Sequence, residues 1–266
     1  MYRYVIYFKT FRNYTYLLRV LVSKDIKRKY KGSYLGILWS LFNPLLHMIL
    51  LTVIFSELFK LNIDNVPVYI LAGKLIFDIF SASTTASMNS IIASAELIKK
   101  VYMPKYIITL STIISNFVFF LISLAVLVLI MAVTRAPFTV HLLITPVYLA
   151  LLFLFCCGVG LILATVTVFF RDVQHLYGVL TTLLMFASAI FYPPEIIPAP
   201  YQFVLEFNPV FYFVEGFRHV VHGGMPAEPA NLLICAGLAV ASLVAGVLTF
   251  EKNQYKFISS SLGAVA

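Results

Sequence analysis

Hydrophobic positions in this chain fall in long blocks rather than in narrow stripes. Six blocks, residues 37–59, 66–93, 107–133, 141–170, 176–192 and 231–250, are predominantly apolar, and short polar or proline-containing stretches separate them. A helix that is apolar all round must be buried in a large core or in lipid. The first block has 23 residues with Glu57 as its one charge, and spans roughly 34 Å at about 1.5 Å per residue. That length crosses a bilayer. The pattern predicts an all-α polytopic membrane protein with six transmembrane helices over 37–266, preceded by a basic cytoplasmic segment over 1–36.

Two departures from the block pattern refine this reading. The fifth block is short, 17 residues or roughly 25 Å, and Pro193, Pro194, Pro198 and Pro200 follow it. Prolines this dense cannot continue a straight helix, yet Ile196, Ile197, Phe203, Val204 and Leu205 are too apolar for a solvated loop. The expected element over 192–208 is a re-entrant or interfacial gate, with Tyr192, Pro193, Pro194, Asn208 and Pro209 as its marker residues; irregular backbone is tolerated there if protein buries it or it lines a cavity. At the other end, Tyr4, Phe8, Phe11, Leu18 and Val22 recur at helical spacing with cations beside them. This predicts an amphipathic interfacial helix in the headgroup layer, its lipid contacts carried by Lys9, Arg12, Arg19, Lys29 and Lys31. A helix packed on another subunit is the alternative.

Composition narrows the class. With 61% hydrophobic and 11% charged residues, the chain has too few charges to cover a soluble surface, which excludes a soluble enzyme, a disulfide scaffold and a disordered chain. The net charge of +8 is distributed with the topology: 15 of the 19 basic residues fall on the face that holds both termini. The positive-inside rule makes that face cytoplasmic. The charge therefore serves orientation and lipid contact, and no nucleic-acid partner is expected. No apolar signal region occurs in the first 36 residues.

Catalytic patterns are sparse. Gly73-Lys74 lacks the upstream glycine and the hydroxyl of a phosphate-binding loop, so the chain itself is not expected to hydrolyse ATP. Cys156, Cys157 and Cys235 have no metal-ligand spacing and read as small core residues. His219 and His222 lack an evident third ligand. Asn13-Tyr14-Thr15 matches a glycosylation acceptor but lies on the predicted cytoplasmic side. Lys74 and Asp78, four apart on one helical face, read either as a compensated pair or as a coupling-ion site.

The informative stretch is 24–44, KDIKRKYKGSYLGILWSLFNP: a basic run to Lys31, Gly32 and Gly36 four apart, Trp39 at headgroup depth, and Asn43-Pro44 interrupting the helix. It resembles the opening of the membrane subunits of bacterial polysaccharide ABC exporters, which move O-antigen, capsule and teichoic-acid polymers. The Phe170-Arg171-Asp172-Val173-Gln174-His175 segment, Tyr192-Pro193-Pro194 with Pro198, and Asn208-Pro209 followed by Arg218 fit the same family. The resemblance implies a permease homodimer in the bacterial inner membrane, with no cofactor on this chain and with ATP and Mg bound by two separate nucleotide-binding subunits. It also implies docking of those subunits at 96–105 and 171–177, through Glu96, Lys99, Lys100, Lys105, Arg171 and Asp172. The alternation of apolar and charged groups over 95–102 agrees with a docking helix.

Sugar rings present apolar faces that aromatic side chains complement. Trp39, Phe42, Phe77, Phe186 and Phe191, with the Asn43 amide, are candidates for the entrance and path of a lipid-linked polysaccharide. Rival readings are an exporter of the same architecture for a drug or glycolipid, an integral membrane glycosyl- or acyltransferase, and a secondary transporter resting on Lys74 and Asp78.

Overall fold

The computed structural model describes residues 14–29, 31–32, 34–58, 63–100 and 103–257. Lys9 and Arg12 lie outside them, with Tyr4, Phe8, Phe11 and the Asn13 acceptor. Among the described residues the regular structure is entirely helical. Five helices among the described residues are long and apolar enough to cross a membrane. They are α2 (Trp39–Val53), prolonged by a wide turn at Ile54–Leu58, then α3 (Val66–Ala93), α5 (Tyr106–Val133), α6 (Thr145–Phe169) and α10 (Pro229–Asn253). Shorter α-helices among the described residues are α1 (Thr15–Lys29), α4 (Ala95–Lys100), α7 (Val173–Phe186), α8 (Phe203–Glu206) and α9 (Pro209–Val221).

α3 is the central post and packs on α2, α5, α6, α7 and α9. Val68, Ile70 and Ala72 near its start are wholly buried, and Ser83, Thr84 and Ser87 are buried farther along. Thr84 and Ser87 are satisfied without opening the core, because they donate to carbonyls one turn back, of Phe80 and Ser83, at 2.7 Å each. The α6–α10 pair packs backbone against backbone. A Cβ on Gly158 would lie 2.2 Å from the Ser242 carbonyl carbon, and one on Gly246 would lie 2.4 Å from the Gly158 oxygen. In lipid, where apolar burial gives little drive for helix association, such backbone approach is what dispersion requires.

Pro44 lies inside α2 and has no N–H for the carbonyl of Ser40. Ser123 of α5 supplies the missing donor: its Oγ reaches the Ser40 oxygen at 3.1 Å. α2 is otherwise scarcely covered, with Leu46, Ile49, Leu50 and Val53 exposed, and α7 likewise exposes Leu176, Val179, Leu183 and Phe186. The ends of the two helices meet where Phe55 stacks on Phe191, rings 5.4 Å apart, and Phe186 touches Phe191 at 6.2 Å.

The fifth apolar block is a 14-residue helix, roughly 21 Å long, that stops at Phe186 rather than continuing to 192. Ala189 takes a left-handed φ of 48° and turns the chain. The stretch between the fifth and sixth apolar blocks continues past 208 as a helix. Asn208 turns the chain under the end of α7, donating to Ser188 Oγ at 2.8 Å and accepting from the Val210 N–H at 3.0 Å. α9 then buries Val210, Phe213, Val214 and Phe217, a stripe at helical spacing, against α3 and α6. At the basic end a second cluster joins Ile91, Met103, Ile108, Leu161, Phe250 and Phe257 to Leu17 of α1. α1 runs along α5 with Leu21 buried and Leu18 and Val22 half-buried, so its covered stripe is rotated from the predicted one.

Candidate functional site

The basic end of the bundle brings the two predicted docking segments together. In α4, Glu96 and Lys99 pair at 3.4 Å, and both are exposed together with Lys100. Arg171 and Asp172 are exposed at the start of α7. The two places are tied through α3: Gln174 Nε2 donates to Asn89 Oδ1 at 2.7 Å, one turn before α3 gives way to α4. One turn farther along α7, Tyr177 donates its hydroxyl to Thr84 Oγ1 at 2.6 Å inside the protein. The first turns of α7 are thus bonded to α3 at two levels.

Lys105 does not share this surface. Its ammonium donates to the Gln254 carbonyl and lies 5.5 Å from the Phe257 ring, and burial holds its pKa below the usual lysine range. The side chain anchors the segment after α10 instead of facing outward. Spacing alone could not separate it from Lys99 and Lys100, because all three stand in one charged loop.

The aromatic candidates divide. Trp39 and Phe42 are 42% and 41% exposed, with rings 6.5 Å apart edge to face. Asn43 is exposed beside them, and its carbonyl meets His47 Nδ1 at 2.8 Å. Phe186 is exposed on α7. Phe77 and Phe191 are core residues, 4% and 5% exposed, so neither is on an open surface of the chain. Phe77 packs against Phe80 at 6.4 Å. Lys74 and Asp78 pair on one flank of α3, with Asp78 the more exposed.

At the opposite end, Arg218 of α9 holds the turn after α7. Its Nη1 donates to Tyr69 Oη at 2.7 Å and to the Ala189 carbonyl at 3.1 Å, while Nη2 donates to the Ala189 and Ile190 carbonyls at 3.1 and 3.3 Å. The guanidinium also lies 3.9 Å over the Tyr69 ring, and Glu215 approaches at 3.5 Å. Tyr69 in turn donates to the Tyr192 carbonyl at 3.0 Å, and Tyr192 to that of Phe186 at 2.6 Å. Tyr192 and Asn208 are thus fixed points of the segment between α7 and α9, Pro209 opens α9, and Pro193 and Pro194 lead from Tyr192 into a tight turn at Pro194–Ile196. His222 packs its ring 5.3 Å from that of Tyr69 and bonds the Asp64 carbonyl. In the sequence Arg218 stood out as the cation that follows Asn208-Pro209, without a sign of what it binds. Such a residue usually has an assigned partner, but the partners here are backbone carbonyls that no motif announces.

The basic residues of α1 border two hollows. Arg19, Lys24, Lys27, Arg28 and Lys31 surround an open groove on one side. Lys24, Asp25, Arg28 and Lys29 border a cleft of about 260 Å³ against α3 and α5 on the other. Lys29 Nζ lies 3.9 Å over the Phe119 ring, and burial lowers its pKa.

Comparison with known proteins completes the picture. The profile of the ABC-2 type transporter family matches residues 16–222. The O-antigen export system permease protein RfbA of Myxococcus xanthus is 31% identical over 250 residues, 93% of this chain and 96% of that protein. An RfbA permease of Klebsiella pneumoniae is 30% identical over 243 residues, 91% of this chain and 93% of that protein. The polysialic acid transport protein KpsM of Escherichia coli is 28% identical over 250 residues, covering 91% and 95%.

Proposed function

The chain belongs to the ABC-2 type transporter family, and on that premise we propose that it is the permease half of an ATP-driven exporter of lipid-linked polysaccharide. The polymer is of the O-antigen, capsule or teichoic-acid class, and the membrane crossed is the bacterial inner membrane. The chain is a transport subunit, not an enzyme. ATP and Mg belong to a separate pair of nucleotide-binding subunits, and two copies of this chain enclose the path. The observation that carries this reading is the extent of the likeness: relatives named as O-antigen export permeases align over more than nine-tenths of both chains.

The geometry suits the task. ATPase subunits seat on α4 and the start of α7, which the Gln174–Asn89 bond holds in register. α7 leads directly from that surface to the turn gripped by Arg218, so a tilt of its basic end reaches the outer gate through one short helix. The uncovered apolar faces of α2 and α7 are where the second copy packs and where the glycan slides. Trp39 and Phe42 offer a stacking surface at the entrance, on the helix that Pro44 interrupts.

Disrupting the gene in its own host should leave the polysaccharide lipid-linked inside the cell and absent from the surface, with restoration by the plasmid-borne chain. Unaltered surface polysaccharide in the disrupted strain would refute the reading. The orientation is tested separately with single cysteines at Glu195 and Glu206 in a chain lacking Cys156, Cys157 and Cys235. Both should react with an impermeant maleimide added outside, and reaction of either only from the cytoplasm would overturn the outer placement.

A further inference from the structure

An ATP-driven permease has no need of a coupling-ion site, yet Lys74 and Asp78 form an ion pair within the second membrane helix. They stand roughly 12 and 18 Å along α3 from Val66, in a helix roughly 42 Å long, so the pair lies at hydrocarbon depth. Charges at that depth face a bundle interior or a water-filled cavity, because lipid would leave them unsolvated. Their neighbours on the same stripe are of one kind. From 74 to 85 the positions of α3 that stay open are Lys74, Asp78, Ser81, Ala82 and Thr85, at spacings that put them on one face. No large apolar side chain is among them. The open faces of other long helices are the reverse, with Leu121, Val128 and Leu129 on α5 and Leu233, Val244 and Leu248 on α10. Those faces suit lipid, whereas the α3 stripe suits water and hydroxyl groups.

The pair also has a direction. The Lys74 side chain is 17% exposed and that of Asp78 48%, so the ammonium is the inner partner and the carboxylate is the end presented to the open side. The ammonium donates to Oδ1, which leaves Oδ2 and the rest of the ammonium unused among the described residues. An acceptor and a donor side by side match the neighbouring hydroxyls of a sugar, each of which both gives and accepts a hydrogen bond. A half-exposed carboxylate in a partly apolar passage also repels anions more strongly than it would in bulk water. The end of the bundle away from the basic helices has the same sign: Asp64, Glu195, Glu206 and Glu228 are exposed there against Arg135, and Arg218 is buried. α3 packs on α2 and α7, the helices whose uncovered faces enclose the proposed path.

We propose that Lys74 and Asp78 contact the passing glycan and select it by charge, so that the exported polymer is built of neutral sugars. The proposal rests on the polysaccharide-export reading and narrows its substrate. Hydroxyl-rich repeats are held by the pair and released in succession, whereas repeats bearing carboxylate, sulfate or phosphate are opposed by Asp78 and by the acidic exit. A stripe covered by lipid or closed against the second copy would give the pair no contact with polymer, and the test separates these cases.

Charge selection is read by cysteine labelling in the complex of permease and ATPase. Cys156, Cys157 and Cys235 are buried, so Ser81→Cys, one turn from Asp78, is measured against the unsubstituted chain as background. The cationic trimethylammonium-ethyl methanethiosulfonate should modify it about fivefold faster than the anionic sulfonatoethyl reagent, after correction for their intrinsic reactivities. Adding Asp78→Asn should bring the ratio to unity or below. Should that variant fail to accumulate, Lys74→Met combined with Asp78→Leu removes both charges at once and should bring the ratio to unity. Lack of reaction with either reagent overturns the proposal, since it would mark a stripe sealed by lipid or by the second copy. Equal rates for the two reagents, or a preference that survives the loss of Asp78, also overturn it. The polymer itself gives the second readout: the polysaccharide that the disrupted strain no longer displays should have no uronic acid, sialic acid, sulfate or phosphate in its repeat, and an acidic repeat overturns the proposal. A failure of the export reading shows elsewhere, as normal surface polysaccharide in the disrupted strain.

Discussion

Asn89 on the second membrane helix accepts a hydrogen bond from Gln174 at 2.7 Å, across 85 residues of sequence. The bond joins the end of α3, which leads into α4, to the first turn of α7, so the two segments proposed to meet the ATPase move as one surface. Gln174→Leu should therefore leave the ATPase bound while lowering polysaccharide export per ATP hydrolysed. Co-purification followed by paired ATPase and export assays checks this, and full coupling in the variant would show that the bond has no role in transmission.

Charge reversal on the same surface should act on assembly instead. Lys99 and Lys100 are exposed at the end of α4, away from the core. Lys99→Glu combined with Lys100→Glu should weaken ATPase association by about 2–5 kcal/mol if the partner groups are desolvated there. Thermal unfolding of the permease alone should stay near wild type. Retained complex by size-exclusion chromatography would place the docking surface elsewhere.

At the entrance, Trp39 and Phe42 have little packing to lose, because each is about two-fifths exposed. Trp39→Ala and Phe42→Ala should reduce surface polysaccharide without lowering membrane accumulation or basal ATP hydrolysis by the complex. Normal export in both variants would make them lipid-facing residues only.

The proline inside the first membrane helix offers a test free of any assumption about function. Ser123 Oγ shares its proton between the Ser40 carbonyl at 3.1 Å and the Phe119 carbonyl at 3.2 Å. Ser123→Ala should cost about 0.5–1.5 kcal/mol in detergent unfolding. In a Pro44→Ala background the cost should shrink, because the restored N–H can serve Ser40 itself. A double-mutant cycle measures the difference, and equal costs in the two backgrounds would refute the compensation.

Arg218 and Gly73 should behave as one unit. A Cβ on Gly73 would lie 2.4 Å from Arg218 Nη2, so Gly73→Ala displaces the guanidinium from the Ala189 and Ile190 carbonyls. Arg218→Met removes it outright, and each buried group left without a partner costs about 1–3 kcal/mol. Both variants should speed maleimide labelling of a cysteine at Glu195, and the double variant should be scarcely worse than Arg218→Met. Strictly additive effects on unfolding would mean that the two residues act independently.

The membrane character of the chain was settled by sequence alone. Each apolar block must satisfy its own backbone hydrogen bonds in lipid, so a span is a local property that length and composition reveal. The proline-dense break after the fifth block, the bias of basic residues to one face and the lack of a phosphate-binding loop are local in the same sense. The tertiary structure decided what depends on neighbours. It ended α7 at Phe186, because Arg218, 32 positions farther on, grips the turn. It put Phe77 and Phe191 in the core and left Trp39 and Phe42 open, and it turned Lys105 toward Gln254 while Lys99 stayed outward. A residue that packs on protein and one that faces lipid are equally apolar. Periodicity therefore cannot tell them apart, and only the position of the next helix does. The cleft beside α1 belongs to the same class: its cations are plain in the sequence, but Asn89, Ser111, Ser115 and Asn116, which line its other wall, come from two other helices.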